Sequence, residues 1–302
     1  MKRIPLLIFG TILLLLFLVG AVQVYADRKA QEKVDSFLSL LELKDKASYG
    51  KVKYSLLKGT TEIKGLEIED ETGKLKAERL LITKFTETEL ELRIEGIDGE
   101  DKSFRELENS LRELGYKDTR MNAVLSVSLK DKEKKLLLRE LSLEIPSAFR
   151  ITVSFELLGV DQKLIKELSE LEEDNREALN KLARELGNVK LVGMRAGLED
   201  RGVLKKLIEN EALKRGKKPE DIRDEILKEL KRLEKGSEFE RSLYTALKKL
   251  LEEGGSLNLI AKPQRPVPFD SLVVYALMSV QSKDFSRLFR VLNLKVEHKE
   301  NI

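Results

Sequence analysis

The chain of 302 residues has no cysteine, no tryptophan and a single histidine, His298. Without cysteine it cannot form a disulfide, a thiolate metal site, a thiol nucleophile or an acylated lipoprotein cysteine. With one histidine close to the end of the chain, neither a Ser-His-Asp nor a Cys-His arrangement has a second candidate for its general base. We therefore identify no catalytic, cofactor-binding or metal-ligating residue, and we predict that the protein is not an enzyme.

Glycine-rich and acidic stretches do not complete a ligand-binding motif either. The segments "LLGVDQKL" (157–164) and "EEGGSLNL" (252–259) lack the glycine spacing and the Lys-Ser/Thr pair of a phosphate loop. The acidic segment "IEDETGK" (68–74) lacks the alternating ligands and the closing glutamate of a calcium loop. Its composition predicts a solvated hairpin turn.

The chain has no strong excess of charge of either sign, because it contains 56 basic and 53 acidic residues and its formal net charge is +3. Such a balance argues against a general nucleic-acid binder, so we predict no nucleic-acid partner. The charged fraction of 36%, mostly Lys and Glu, is typical of heat-adapted proteins. Long solvated helices would give the same composition.

One long uncharged run, "IPLLIFGTILLLLFLVGAV" (4–22), contrasts with the rest of the chain. At the helical rise it spans about 28 Å, close to the hydrocarbon thickness of a bilayer. Lys2 and Arg3 precede it, so the positive-inside rule keeps the N-terminus in the cytoplasm. We predict that residues 1–26 are a cytoplasmic tip and an uncleaved transmembrane anchor, with residues 27–302 outside the membrane. A signal peptide cleaved after Ala26 is the alternative.

Residues 49–160 are rich in strand patterns. Apolar residues alternate in "KVKYSLL" (51–57), "EIKGLEIED" (62–70) and "ELELRIEGI" (89–97), and the short turns between such runs predict antiparallel hairpins. In "AVLSVSLKD" (123–131), alternation predicts that Leu125, Val127 and Leu129 share the buried face, whereas the serines between them face away.

A weak internal repeat brings residues 51–68 onto residues 126–143 at a shift of 75 positions. In both copies the apolar alternation slips by one residue, at Lys64–Gly65 and at Arg139–Glu140. A slip requires a β-bulge or a bend if both sides are to face one core, so we predict a curved sheet. Chance similarity between alternating strands is the alternative to a duplication.

Residues 161–302 are rich in amphipathic helix patterns. Helices are predicted at about 201–215, 219–235 and 238–253, and shorter ones near 269–280 and 284–290. Three strands, "NVKLVGMRAGLED", "SLNLIAKP" and "LNLKVEH", lie between or after them. The predicted fold class is α+β: an N-terminal transmembrane helix, then a curved, mainly antiparallel sheet of hairpins packed with amphipathic helices.

Two local features admit a ligand or a partner besides a structural role. In "GLEDRGVLKKLI" (197–208), Asp200 can cap the first turn of a helix, and a ligand site at Asp200 and Arg201 is the alternative. The segment "AKPQRPVPF" (261–269) holds three of the six prolines. It can recruit a partner as an extended segment, or steer the chain away from a sheet edge.

Short motifs resemble those of AsmA-like and YdgA-like bacterial envelope proteins. The matching positions are Gly65, Leu66 and Ile68, then Gly73, Leu75 and Ala77, and finally Leu157, Gly159 and Asp161. The resemblance implies a periplasmic domain anchored in the bacterial inner membrane by a single pass, a role in envelope maintenance and, for AsmA relatives, a hydrophobic groove for lipid. The chain is far shorter than the lipid-bridging relatives, and this difference argues against a conduit across the periplasm.

From these observations we expect a membrane-anchored periplasmic envelope protein that is structural or contacts lipid. Its expected partners are the inner membrane and phospholipid or acyl chains. One alternative is a partner-binding subunit that docks on other envelope proteins, and another is an enzyme acting on lipid or cell-wall polymer. An apolar groove favours lipid, a flat apolar patch favours a protein partner, and a polar cleft with shifted carboxylates favours the enzyme.

Overall fold

The computed structural model describes residues 27–39, 43–55, 58–70, 73–100, 102–169, 185–282 and 284–300. The chain divides into two units. Unit 1 comprises Met1–Lys84 and Leu92–Glu106, and unit 2 comprises Phe85–Glu91 and Leu107–Ile302.

The described part of unit 1 contains an antiparallel sheet and helix α1, which is described over residues 27–39. Its strands follow the order β1–β3–β4–β5, and β2 also pairs with β3. They are β1 (Ala47–Ser48), β2 (Lys51–Ser55), β3 (Thr60–Asp70), β4 (Gly73–Phe85) and β5 (Glu89–Gly99). Helix α1 buries Ala30, Val34 and Phe37, which recur at helical spacing. The Asp27 carboxylate accepts a hydrogen bond of 2.7 Å from the backbone N–H of Tyr54.

A left-handed glycine lies at the slip predicted in β3. Gly65 has a φ of 62°, and its neighbours Ile63 and Leu66 are both buried although they differ in parity. Gly96 in β5 has a φ of 66°, and a Cβ there would collide with the side chain of Glu78 in β4. The slip at Lys64–Gly65 is therefore confirmed, because a left-handed glycine changes which face the following residues occupy.

The strands of unit 2 follow the antiparallel order β6–β7–β8–β9–β10–β12, with β11 paired to the other end of β9. The strands are β6 (Met121–Lys130), β7 (Lys135–Ile145), β8 (Phe149–Leu158), β9 (Lys190–Asp200), β10 (Gly255–Ala261), β11 (Val267–Pro268) and β12 (Leu294–Lys299). The hairpins predicted from alternation over residues 121–158 are confirmed.

The five helices predicted between residues 201 and 290 are confirmed, although the one predicted at about 219–235 ends at Leu230. Seven α-helices follow α1 in the described residues. They are α2 (Lys102–Glu113), α3 (Gln162–Ser169), α4 (Val203–Arg215), α5 (Pro219–Leu230), α6 (Glu238–Glu253), α7 (Phe269–Ser282) and α8 (Ser286–Val291). Helix α6 begins at a capping box, in which Ser237 Oγ accepts from the Glu240 N–H and the Glu240 carboxylate accepts from the Ser237 N–H. Helix α4 ends at Gly216, which is left-handed.

The predicted fold class is wrong in its transmembrane helix. No helix of the described residues is both long and apolar enough to cross a membrane. Helix α7 is the one with fewest charges, and its 14 residues span only about 21 Å at the helical rise, against a hydrocarbon core of roughly 30 Å. Residues 4–22, which suggested the anchor, lie outside the described residues, as does the alternative cleavage site at Ala26. The fold that the structure shows is α+β, and the single-pass inner-membrane localisation is corrected with the anchor.

Leu125, Val127 and Leu129 share one face of β6 as predicted, but the predicted burial is wrong. Ser128 is buried, as is Leu129, whereas Leu125 and Val127 are only partly buried. The pairing of β6 with β7 shifts register between Ser126 and Val127, and both faces of β6 are covered at its C-terminal end. Alternation along one strand does not report what packs on its far side.

Candidate functional site

One face of the unit 2 sheet carries apolar rows that cross the strands. Residues paired directly in antiparallel strands point to the same face, so the register defines the rows. The central row contains Leu125, Leu141, Val153, Ala196, Leu259 and Val296. The row on one side contains Ala123, Leu143, Ile151, Leu198, Leu257 and His298, and the row on the other side contains Val127, Leu138, Phe155, Met194, Ala261 and Leu294.

A β-bulge keeps this face apolar along β7. Leu138 pairs with Phe155 and Leu141 pairs with Val153, so Arg139 and Glu140 together oppose one residue of β8. Without the extra residue, Leu138 and Leu141 would point to opposite faces. The slip predicted at Arg139–Glu140 is therefore confirmed.

The opposite face of the same strands is polar. Thr152 pairs with Ser142 on one side and with Gly197 on the other, and Gly197 pairs with Asn258. A Cβ on Gly197 would lie 2.6 Å from Thr152 Oγ1 and 2.9 Å from Asn258 Oδ1, so this row accepts no larger residue at that position. An antiparallel sheet with one apolar and one polar face packs its helices on the apolar face.

Both strand ends of the apolar face are covered. At one end, Ile145 packs with Leu111 and Tyr116, from α2 and the turn after it, and with Val203 from α4. At the other end, Leu129 packs with Leu164 from α3 and with the connecting residues Val160 and Val189.

Between these covered ends the apolar face is open. The sheet patch, as we name it, consists of five side chains that are each between 36% and 43% exposed: Leu141, Leu143, Ile151, Met194 and Leu259. By strand geometry it measures roughly 13 Å along the strands and 14 Å across them. Helices therefore cover the apolar face beyond both ends of the sheet patch.

Asp200 and Arg201 have structural partners at the end of the sheet face that α2 and α4 cover. The Asp200 carboxylate is buried, and its Oδ1 accepts a hydrogen bond of 3.1 Å from the Leu204 N–H, so Asp200 caps α4 as predicted. Arg201 Nε donates to the Glu199 carboxylate at 2.7 Å, and this bond is the main cause of the raised pKa of Arg201. Both residues line a cavity of about 480 Å³ together with Arg223, whose buried Nε has no hydrogen-bond partner among the described residues.

His298 has a structural contact as well. Its Nε2 lies 2.7 Å from the carbonyl oxygen of Gly254 at the C-terminal end of α6. A carbonyl only accepts, so Nε2 carries the proton and donates it. The imidazole thereby ties β12 to the end of α6.

The proline-rich segment crosses the end of the sheet. Val267 and Pro268 pair with Leu191 and Lys190 at the end of β9. The Lys262 N–H donates to the Leu292 carbonyl at 3.0 Å. The segment therefore leads the chain out of β10 and into α7, as its steering role predicts.

A second apolar surface was not predicted from the sequence. The helix patch, as we name it, consists of six side chains of α7 that are between 37% and 63% exposed: Phe269, Val273, Val274, Leu277, Met278 and Val280. The signal in the sequence is the single charge, Asp270, in the 14 residues of this helix. A helix predicted by periodicity alone does not show that such a face lacks a cover.

Comparison with known proteins places most of this chain in one family. A family model described as "Uncharacterized protein" matches residues 142–299, which include β8 to β12 and both apolar patches except Leu141. A protein of Aquifex aeolicus (strain VF5), also described as "Uncharacterized protein", is 34% identical over 297 residues, which cover 96% of this chain and 98% of that protein. Neither match indicates the AsmA-like proteins specifically. The chain belongs to this family of uncharacterized proteins.

Proposed function

We propose that the protein binds an acyl chain, or a similarly elongated apolar ligand, on the sheet patch. The observation that carries the proposal is the group of five neighbouring apolar side chains, each more than a third exposed, between two covered ends of one sheet face. Ligand sites are mostly apolar, and the sheet patch consists of apolar side chains only. The resemblance of the hairpin motifs to AsmA-like proteins, which implies a lipid groove, supports the same class of ligand.

The size of the sheet patch favours a narrow ligand over a folded protein. A stable protein interface covers about 800 Å² on each partner, whereas the patch is only about 13 by 14 Å. The five side chains carry no charge, so a ligand on them requires no polar counterpart. An acyl chain meets both conditions.

Affinity should rise with the length of the acyl chain. Each methylene transferred from water contributes about 0.8 kcal/mol, which is about fourfold in affinity. The rise should stop once the chain is longer than the patch, because further methylenes remain in water.

The test is the displacement of a fluorescent fatty acid by unlabelled saturated fatty acids of increasing length. The variant Ile151→Glu places a charge in the patch and should weaken binding at least tenfold, because the carboxylate must lose water to accommodate a methylene chain. The matched control is Ser154→Glu on the polar face of the same strand, where Arg195 is its cross-strand neighbour. That variant should bind within twofold of the unchanged protein.

Circular dichroism of both variants confirms that the sheet persists. Equal affinity of the two variants, or an affinity independent of chain length in the folded protein, would contradict the proposal.

Of the function expected from the sequence, the proposal retains the contact with lipid. The proposal does not retain the expected membrane anchor, because no helix of the described residues could cross a membrane. The partner-binding subunit and the absence of enzymatic activity stay predictions.

A further inference from the structure

Helix α7 exposes a continuous apolar face. Val273, Leu277 and Val280 follow one another at spacings of four and three residues, so they line one side of the helix. Each of the three is at least 55% exposed, whereas Ser279 is buried. The largest apolar patch on a monomeric protein is about 300–600 Å² and often marks an interaction site.

Basic residues flank α7 in the chain. Lys262 and Arg265 precede the helix and Arg287 and Arg290 follow it, and all four side chains are exposed, as are those of the acidic Asp270 and Asp284. None of the four forms a salt bridge within the described part of the chain, although the Arg287 guanidinium lies 5.0 Å from the ring centre of Tyr275. The formal net charge of the whole chain is only +3, so this group of four basic residues beside one apolar helix, which we name the basic rim, is a local feature.

The rim distinguishes between possible occupants. An isologous contact with a second copy would bring the same cations of both chains together, and like charges across an interface are repulsive. An anionic phospholipid surface offers acyl chains to the apolar face and phosphates to the rim.

We propose that α7 lies flat in the interface of an anionic phospholipid surface. Its apolar side chains enter the outer acyl region, and Lys262, Arg265, Arg287 and Arg290 face the phosphates. The contact needs no membrane-spanning segment, since the helix lies along the surface. It goes beyond the binding of an acyl chain to the sheet patch and does not depend on it.

The absence of cysteine allows a probe to be placed at a single site of the full-length chain. Leu277→Cys, labelled with an environment-sensitive fluorophore, reports on the helix patch. The matched control is Leu213→Cys on α4, because Leu213 is 81% exposed and belongs to neither patch. Vesicles of phosphatidylglycerol and phosphatidylcholine at equal parts should shift the emission of the Leu277 probe to the blue and leave that of the Leu213 probe unchanged.

Charge dependence tests the basic rim. The Leu277 probe should respond only weakly to pure phosphatidylcholine vesicles, and salt should weaken its response to the anionic ones. Adding Arg287→Gln and Arg290→Gln should weaken binding to the anionic vesicles about 30-fold, which is about fivefold for each cation removed near such a surface.

Three results would overturn the proposal. A silent Leu277 probe on anionic vesicles would place α7 away from lipid. A shift that depends on protein concentration without vesicles would assign the face to a second copy. An equal shift on neutral and anionic vesicles would remove the role of the rim.

Discussion

Replacing two isoleucines of the same sheet face tests whether the face is covered at its end and open at its centre. Ile145 is 0% exposed and lies under α2 and α4, whereas Ile151 is 43% exposed and belongs to the sheet patch. The residue type, the sheet and the face are the same. Only the cover differs, so the pair of variants Ile145→Ala and Ile151→Ala isolates it.

The two losses of stability should differ clearly. Each variant removes three carbons, which contribute about 2.4 kcal/mol when fully buried. At Ile145 the cavity left between packed groups adds to this, for a total loss of about 3–4 kcal/mol. At Ile151 a little more than half of the side chain is buried and water can enter the space, so the loss should be about 1 kcal/mol.

Urea denaturation of the unchanged protein and both variants measures these free energies of unfolding. The comparison is valid if the three curves share one slope, because a changed slope indicates a changed denatured or native state. A difference below about 0.5 kcal/mol between the two variants would refute the reasoning, since both isoleucines would then be equally covered.

Three further predictions concern single sites. Hydrogen bonds from the side chain and the backbone of Arg120 lower the pKa of Asp118 to about 2. Because the folded-state pKa lies below the unfolded one, Asp118 stabilises the fold above its ordinary pKa of 3.8 and loses this contribution as the pH falls towards 2. Arg120→Ala keeps the backbone donor, so the NMR titration of Asp118 should move only part of the way back to the ordinary value. Gly255→Ala should lower the free energy of unfolding far more than Gly115→Ala in the same assay. Both glycines are left-handed, but only at Gly255 would a Cβ collide with the backbone of β12. Equal losses of stability would assign the effect to backbone strain alone. Ser237→Ala should cost about 1 kcal/mol through loss of the α6 cap, and an unchanged unfolding midpoint would show that the cap contributes nothing.

Local chemistry in the sequence predicted much of unit 2. Pro219 and Gly216 mark the boundary between α4 and α5 because proline fits a helix start and glycine fits a left-handed end. The bulge at Arg139–Glu140 was visible because alternation of apolar residues must slip where the chain adds one residue. In each case the signal lies within a few consecutive residues.

Neither apolar patch could be predicted in the same way. Ile145 and Ile151 look alike in the sequence, since both are isoleucines of alternating strands, yet one is covered by helices about 40 residues earlier and 60 residues later in the chain. Which row a helix covers depends on long-range packing that alternation does not encode. The helix patch has a local signal in the near absence of charge over α7, but periodicity places a helix without showing whether its apolar face is covered.

The sheet patch leaves hydrophobic stabilisation unrealised in the free protein. Five large apolar side chains that remain about 40% exposed amount to on the order of 4 kcal/mol of transfer free energy not used in folding. A domain is stable by only about 5–15 kcal/mol, so this is a large fraction. The bulge in β7 is what aligns Leu138 with Leu141 on the same face, and helices cover both ends of that face while its centre stays open. A ligand that covers the centre would add the missing burial and would stabilise the folded state in proportion to its concentration over its Kd. The open centre therefore has a physical reason if a ligand occupies it, and folding alone gives it none.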